Sequence, residues 1–161
     1  MELLLVMALI AILSAVGLGA YTQATLKSRD TERKNDLEQM VKAIELFNND
    51  IGRYPMISNG VMTCPQADKT EVSCNGLIYA YLGNTRAIYM EKVPTDPDSG
   101  KKYVYVPDTN ETGFSLYAAL ENTQDGDVVV DSNNKPTDWG VSCGSINCNY
   151  KITETGLVKT K

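Results

Sequence analysis

A chain of 161 residues with 15 Lys and Arg against 20 Asp and Glu, a net charge of −5 and no histidine excludes several chemistries at once. Without an imidazole there is no Ser-His-Asp or Cys-His catalytic pair and no His-ligated zinc. The acidic balance argues against nucleic-acid binding, and the length suits one small domain plus an appendage.

Glu2 leads directly into an apolar run, Leu3 to Ala20 (LLLVMALIAILSAVGLGA), whose one polar side chain is Ser14. As a helix these residues span roughly 27 Å, close to the hydrocarbon thickness of a bilayer. The run is longer than a signal-peptide core, and a helical pattern rather than a small-residue cleavage site follows it. It therefore reads as a membrane segment. An ionisable group at the end of such a helix is costly and marks a functional candidate. Glu2 is expected to await a partner in another chain; the blander reading is an acid favoured at a helix start by the dipole. Gly17 and Gly19 each cost about 1 kcal/mol against alanine in a helix interior. They allow close helix approach or local opening, or are simply tolerated.

The helical pattern continues through Tyr21, Leu26 and Arg33 into Leu37, Met40, Val41, Ile44, Phe47 and Ile51, an apolar stripe in steps of three and four. Lys27, Arg29, Asp30, Glu32, Lys34, Asp36, Glu38 and Lys42 fall on the other faces. Gly52 followed by Pro55 is a stop signal. One continuous helix from 3 to about 50, roughly 70 Å long, is predicted. Residues 1–51 form this helix, with 3–20 its membrane segment, and residues 52–161 form a globular head on which the stripe packs.

Residues 52–76 read as a loop pinned by Cys64–Cys74, a closure that stabilises by about 2–3 kcal/mol. Leu77 to Met90 reads as one or two helical turns. VPTDPDSGKKYVYV reads as a turn stiffened by Pro94 and Pro97, then a strand at Tyr103–Val106. Further strands are expected at Phe114–Leu120, at Asp127–Asp131 after a turn at Asp125–Gly126, and at Tyr150–Ile152. A long helix followed by strands predicts an α+β fold with a small antiparallel sheet.

Cys64, Cys74, Cys143 and Cys148 lie on one side of the apolar run. An even count in a small tethered domain suggests two disulfides and an oxidising compartment. Of the three pairings, the local one, Cys64–Cys74 with Cys143–Cys148, is preferred. A zinc site is disfavoured, since no CxxC spacing is present. Lys27, Arg29, Arg33 and Lys34 after the run would, by the positive-inside tendency, draw the head into the cytoplasm, against the cysteines. A basic leader upstream of Met1 would resolve the conflict with the head outside.

The order of acid, apolar run, amphipathic continuation, Arg53-Tyr54-Pro55 and the turn PTDPDSGKKYVY resembles the type IV pilin and type II secretion pseudopilin family. ELLLVMALIAIL is the closest stretch, with Glu2 at the family's glutamate. GAYTQA (19–24) resembles a family segment as well, and PTDPDSGKKYVY resembles the family's DPWG-like turn before a YxY strand. The resemblance implies a pilin-like fold and a basic leader removed by prepilin peptidase, with methylation of the new amino terminus. It also implies storage in the inner membrane with the head outside the cytoplasm, then polymerisation into a helical filament of like subunits. Minor pilins and the pilus or pseudopilus assembly machinery are the implied partners. Glu2 would meet a neighbour's amino terminus. The physics agrees: a carboxylate in hydrocarbon protonates or finds a cation, and head-to-tail contacts that do not close give open filaments.

Calcium is the one cofactor considered. ENTQDGDVVVDSNNKPTDW clusters Asp125, Asp127, Asp131, Asn133 and Asp138, hard oxygen ligands of the kind calcium takes, and major pseudopilins carry calcium in their C-terminal loop. The spacing is not that of an EF-hand, and a solvated acidic turn is the alternative. The expected function is a structural subunit of a type IV pilus or type II secretion pseudopilus. The alternative is a minor pilin that binds DNA or a surface, for which Lys101 and Lys102 beside Tyr103 and Tyr105 are the one candidate patch. No enzyme is expected. Asp96 and Asp98 are paired acids, but they sit in a proline turn, and no nucleophile motif or phosphate loop accompanies them.

Overall fold

The computed structural model describes residues 2–110 and 112–159, without the side chains of Glu2, Leu4 and residues 15–20. A single helix, α1 (Glu2–Ile51), runs for 50 residues. It stops where Gly52 turns to a φ of +80° and donates its N–H to the Asn48 carbonyl at 2.7 Å, a left-handed cap that costs glycine little. Among the described residues nine short strands follow: β1 (Ile57–Ser58), β2 (Val61–Pro65), β3 (Glu71–Ser73), β4 (Ile78–Leu82), β5 (Thr85–Met90), β6 (Val104–Pro107), β7 (Phe114–Ala118), β8 (Tyr150–Thr153) and β9 (Gly156–Leu157). They form three sheets, β1-β2-β3, β4-β5 and β6-β7-β8-β9. Every pairing is antiparallel, which makes the architecture the expected α+β.

The core lies between the second half of α1 and the sheets. Leu37, Met40, Ala43, Ile44 and Phe47 are buried against Ile78, Ala80, Tyr105, Leu116, Ala118, Tyr150 and Ile152. Phe47 meets Tyr89 edge-on at 5.7 Å. The stripe is therefore the packing face, with Val41 and Ile51 at its margins.

Three segments differ from the sequence reading. Residues 52–76 are a β1-β2-β3 meander rather than a loop, turned at Asn59 and Gly60, both with positive φ. Residues 77–90 are a β4-β5 hairpin, not helical turns. Ile78 and Ala80 face α1 while Tyr79 packs on Cys64 and Cys74. Both faces of β4 are thus covered at Ile78–Ala80, which erases the alternation that marks a strand. Asp127–Asp131 is not a strand: it makes one isolated bridge, Val130 to Pro136. Only Val128 of its three valines is buried, and Val130 is exposed.

Beyond Ala118 the β7 ladder gives way to a side chain. Leu120 donates its N–H to Asn149 Oδ1 at 2.8 Å and its carbonyl accepts from Asn149 Nδ2 at 2.9 Å. The Asn149 amide thereby replaces a partner strand.

Candidate functional site

Two halves of α1 behave differently. Leu3, Leu5, Val6, Met7, Leu9, Ile10, Ile12 and Leu13 all project exposed apolar side chains. An apolar surface of this kind needs lipid or another apolar helix to cover it. Among the described residues no helix is long and apolar enough to cross a membrane, and the expected span 3–20 falls partly outside them. Glu2 begins α1, but its side chain lies outside the described residues, as do the surroundings of Gly17 and Gly19.

The second half is fastened to the head by charge. Arg33 is fully buried. Its Nε and Nη2 make a bidentate grip on Asp96, at 2.9 and 2.8 Å. Nη1 reaches Asp30 Oδ1 at 2.7 Å and Nη2 also reaches Glu121 Oε1 at 2.7 Å. Such planar forks suit arginine rather than lysine. Asp30, one turn earlier, accepts the backbone N–H groups of Glu121 and Asn122, the latter at 2.7 Å. Glu121 is further held by Lys101 at 2.9 Å and by Arg29. Burial works against ionising Glu121, yet hydrogen bonds from Lys101, Arg33 and Arg29 outweigh it and hold the carboxyl at about 2, below its ordinary 4.5. Burial likewise opposes the Arg33 charge and is outweighed by Asp96, Glu121 and Asp30, so its affinity for the proton rises.

The sequence reading left Asp30 on a solvent face; the structure buries it at 2% exposure. The available signal was Arg33, a charged residue four positions before Leu37 in the apolar stripe. A buried arginine demands carboxylates, but its partner Asp96 lies 63 residues away.

Asp96 and Asp98 shape the turn. Asp96 Oδ1 accepts the Asp98 N–H at 2.8 Å and Asp98 Oδ1 accepts that of Gly100 at 3.0 Å. The turn is clamped by the Cys143–Cys148 loop: Lys102 donates its N–H to the Cys143 carbonyl at 2.9 Å and Ser145 donates to Gly100 at 3.0 Å. Both disulfides join the local pairs, Cys64–Cys74 and Cys143–Cys148. In the candidate basic patch, Lys101 is turned inward to Glu121 and Asp98. Tyr103 donates to Asp36 at 2.7 Å and Tyr105 to the Pro55 carbonyl at 2.8 Å.

The residues proposed for calcium do not converge. Asp125 and Asp127 come together, but on Lys34, whose Nζ lies 2.6 and 2.7 Å from them. Asp131 closes its own turn by accepting the N–H groups of Asn133 and Lys135. Asp138 sits elsewhere, accepting from Gly140 and from the Asn147 amide. Among the described residues no group of three or more His, Cys, Asp and Glu is placed to hold a metal.

Chemically, the cluster is a set of paired charges whose carboxyl at Glu121 is pushed well away from neutrality. General acid–base work favours the opposite, a group poised near the working pH. The cluster binds one part of the chain to another. A family model for type II secretion system protein G matches residues 20–134, from the end of the apolar run through the loop after β7. Comparison with curated proteins and with solved structures gives no match. The matched region takes in the docked half of α1 and every residue of the ion cluster, and the chain belongs to the type II secretion system protein G family, the major pseudopilins that serve as structural subunits of the pseudopilus.

Proposed function

We propose that this chain is stored in the inner membrane by residues 3–20, with its head on the periplasmic side, and polymerises through α1 into the pseudopilus. The observation that carries the reading is the division of α1. Its first half presents apolar side chains that the head leaves uncovered, and its second half is locked to the head by Arg33 and Lys34. Lipid covers the first half before assembly and neighbouring helices cover it afterwards. Glu2, at the start of that half, pairs with the amino terminus of the adjacent subunit, a docking signal set by the cost of an unpaired charge in an apolar layer. The secretion assembly machinery and minor pseudopilins are its partners, and prepilin peptidase acts on the full-length form.

The test is Glu2→Ala in the full-length protein, expressed with its secretion machinery. Membrane fractionation is expected to recover the variant at the wild-type level, while sheared filament yield and electron microscopy show loss of pseudopili. A normal filament yield from the variant overturns the role given to Glu2.

A further inference from the structure

We propose that in this chain the cation holding the loop of residues 121–138 is the ammonium of Lys34, supplied by the assembly helix, in place of the calcium ion that the family resemblance implies. The loop has carboxylates in number but spends them on protein donors. Asp125 Oδ1 takes Lys34 at 2.6 Å and also the N–H of Asp127 at 3.0 Å. Asp127 Oδ2 takes Lys34 at 2.7 Å, and its Oδ1 takes Lys159 at 3.1 Å. Glu121 at the head of the loop is held by Arg29, Arg33 and Lys101. Asp131 and Asp138 cap separate turns. Calcium takes six to eight oxygens, whereas these carboxylates already face cations or the N–H donors of their own turns and point to different centres.

Lys34 is the right group for the task. An ammonium is a compact point charge with three donors, able to bridge two carboxylates of one turn. Neither Lys34 nor its partners is fully exposed, so solvent screens the pairs only in part. Burial would lower the Lys34 pKa, but Asp125 and Asp127 raise it above its ordinary value, and Asp127 is lowered chiefly by Lys34. The consequence is mechanical. A metal ion would order the loop on its own ligands, while Lys34 orders it on α1, one residue after the arginine that holds Asp96. Loop order and helix position become a single property. This inference does not depend on how the filament assembles.

Hydrogen exchange on the full-length chain in detergent, followed by mass spectrometry, tests it. In the wild type, millimolar calcium and a calcium chelator are expected to give the same exchange in peptides covering 121–138. Lys34→Met is expected to speed exchange there about tenfold, and Lys34→Arg to restore part of the protection. Calcium-dependent protection of the loop in the wild type overturns the proposal, as does unchanged loop exchange in Lys34→Met. Should Lys34→Met fail to fold, the wild-type comparison decides alone.

Discussion

Replacing Arg33 with methionine tests the anchor directly. Methionine fills similar volume without charge, so the change isolates the electrostatics. It leaves Asp30 and Asp96, which are 2% and 8% exposed, without their cation, leaves Glu121 to Lys101 and Arg29, and removes four hydrogen bonds of 2.7–2.9 Å. Removing one partner of a buried ion pair costs about 3–5 kcal/mol. Against a total stability on the order of 5–15 kcal/mol, that is about a fifth or more, and it corresponds to a fall in Tm of roughly 10 °C. The assay is urea unfolding of the full-length chain in non-ionic detergent at pH 7, read by fluorescence of the single tryptophan, Trp139.

The pH dependence sharpens the test. Glu121 is depressed from 4.5 to about 2 in the folded protein, so it binds fewer protons folded than unfolded. Its contribution is fully present above pH 4.5 and is lost as pH falls toward 2. Without Arg33 the depression shrinks, and the variant has less of that contribution to lose. The stability gap between wild type and Arg33→Met is therefore largest near neutrality and narrows as pH falls below 4.5. A loss smaller than about 1 kcal/mol at pH 7, or a gap that does not change with pH, refutes the assignment of Arg33 as the anchor.

Gly144→Ala is expected to loosen the clamp on the 94–101 turn. Gly144 has a φ of +103°, and an added Cβ would land on the Gly100 carbonyl oxygen. A Cβ against a backbone carbonyl cannot yield cheaply, so exchange of the Lys102 amide should rise and stability fall by about 1–3 kcal/mol; wild-type protection at Lys102 refutes it. Phe47→Ala and its neighbour Leu46→Ala should differ sharply in the same urea assay. Phe47 is fully buried and should lose about 3–5 kcal/mol. Leu46 is 57% exposed and should stay within about 0.5 kcal/mol.

Where one physical rule governs a segment, the sequence was sufficient. The stripe from Leu37 to Ile51 and its stop at Gly52 and Pro55 follow from a 3.6-residue period and cap chemistry, and α1 ends where they say. Strands β6 and β8 alternate because one face is covered, as with Tyr105 buried beside exposed Val106. Strand β4 of the hairpin was not legible because α1 and the Cys64–Cys74 disulfide cover its two faces at Ile78–Ala80, and that sandwich exists only after folding. The ion cluster was hidden for a similar reason. Asp30 and Lys34 look like a solvated face, and Arg33 like a stray charge in the apolar stripe, until residues 63 to 93 positions away arrive opposite them. The loop carboxylates were visible as a group, but a helix lysine as their counter-cation was not.

The placement of Arg33 and Lys34 carries a geometric argument. Hydrophobic contact is tolerant: Leu37, Ile44 and Phe47 would lose only part of their burial if α1 slid slightly along the sheets. Arg33 is not tolerant, because a one-residue slip turns its side chain by about 100° and advances it 1.5 Å, which breaks a fork fitted to two carboxylates of the head, Asp96 and Glu121. Lys34 repeats the constraint on the adjacent face. Together they fix the register of α1 against the head, and so the axial distance from Glu2 to the head, about 46 Å for a straight helix between residues 2 and 33. In the polymer proposed above, with its apolar core built from the first half of α1 and its outer surface from heads, that distance must be the same in every subunit. A buried charge cluster is a poor source of net stability but an effective source of register, and register is what a repeating subunit needs at this point of its chain.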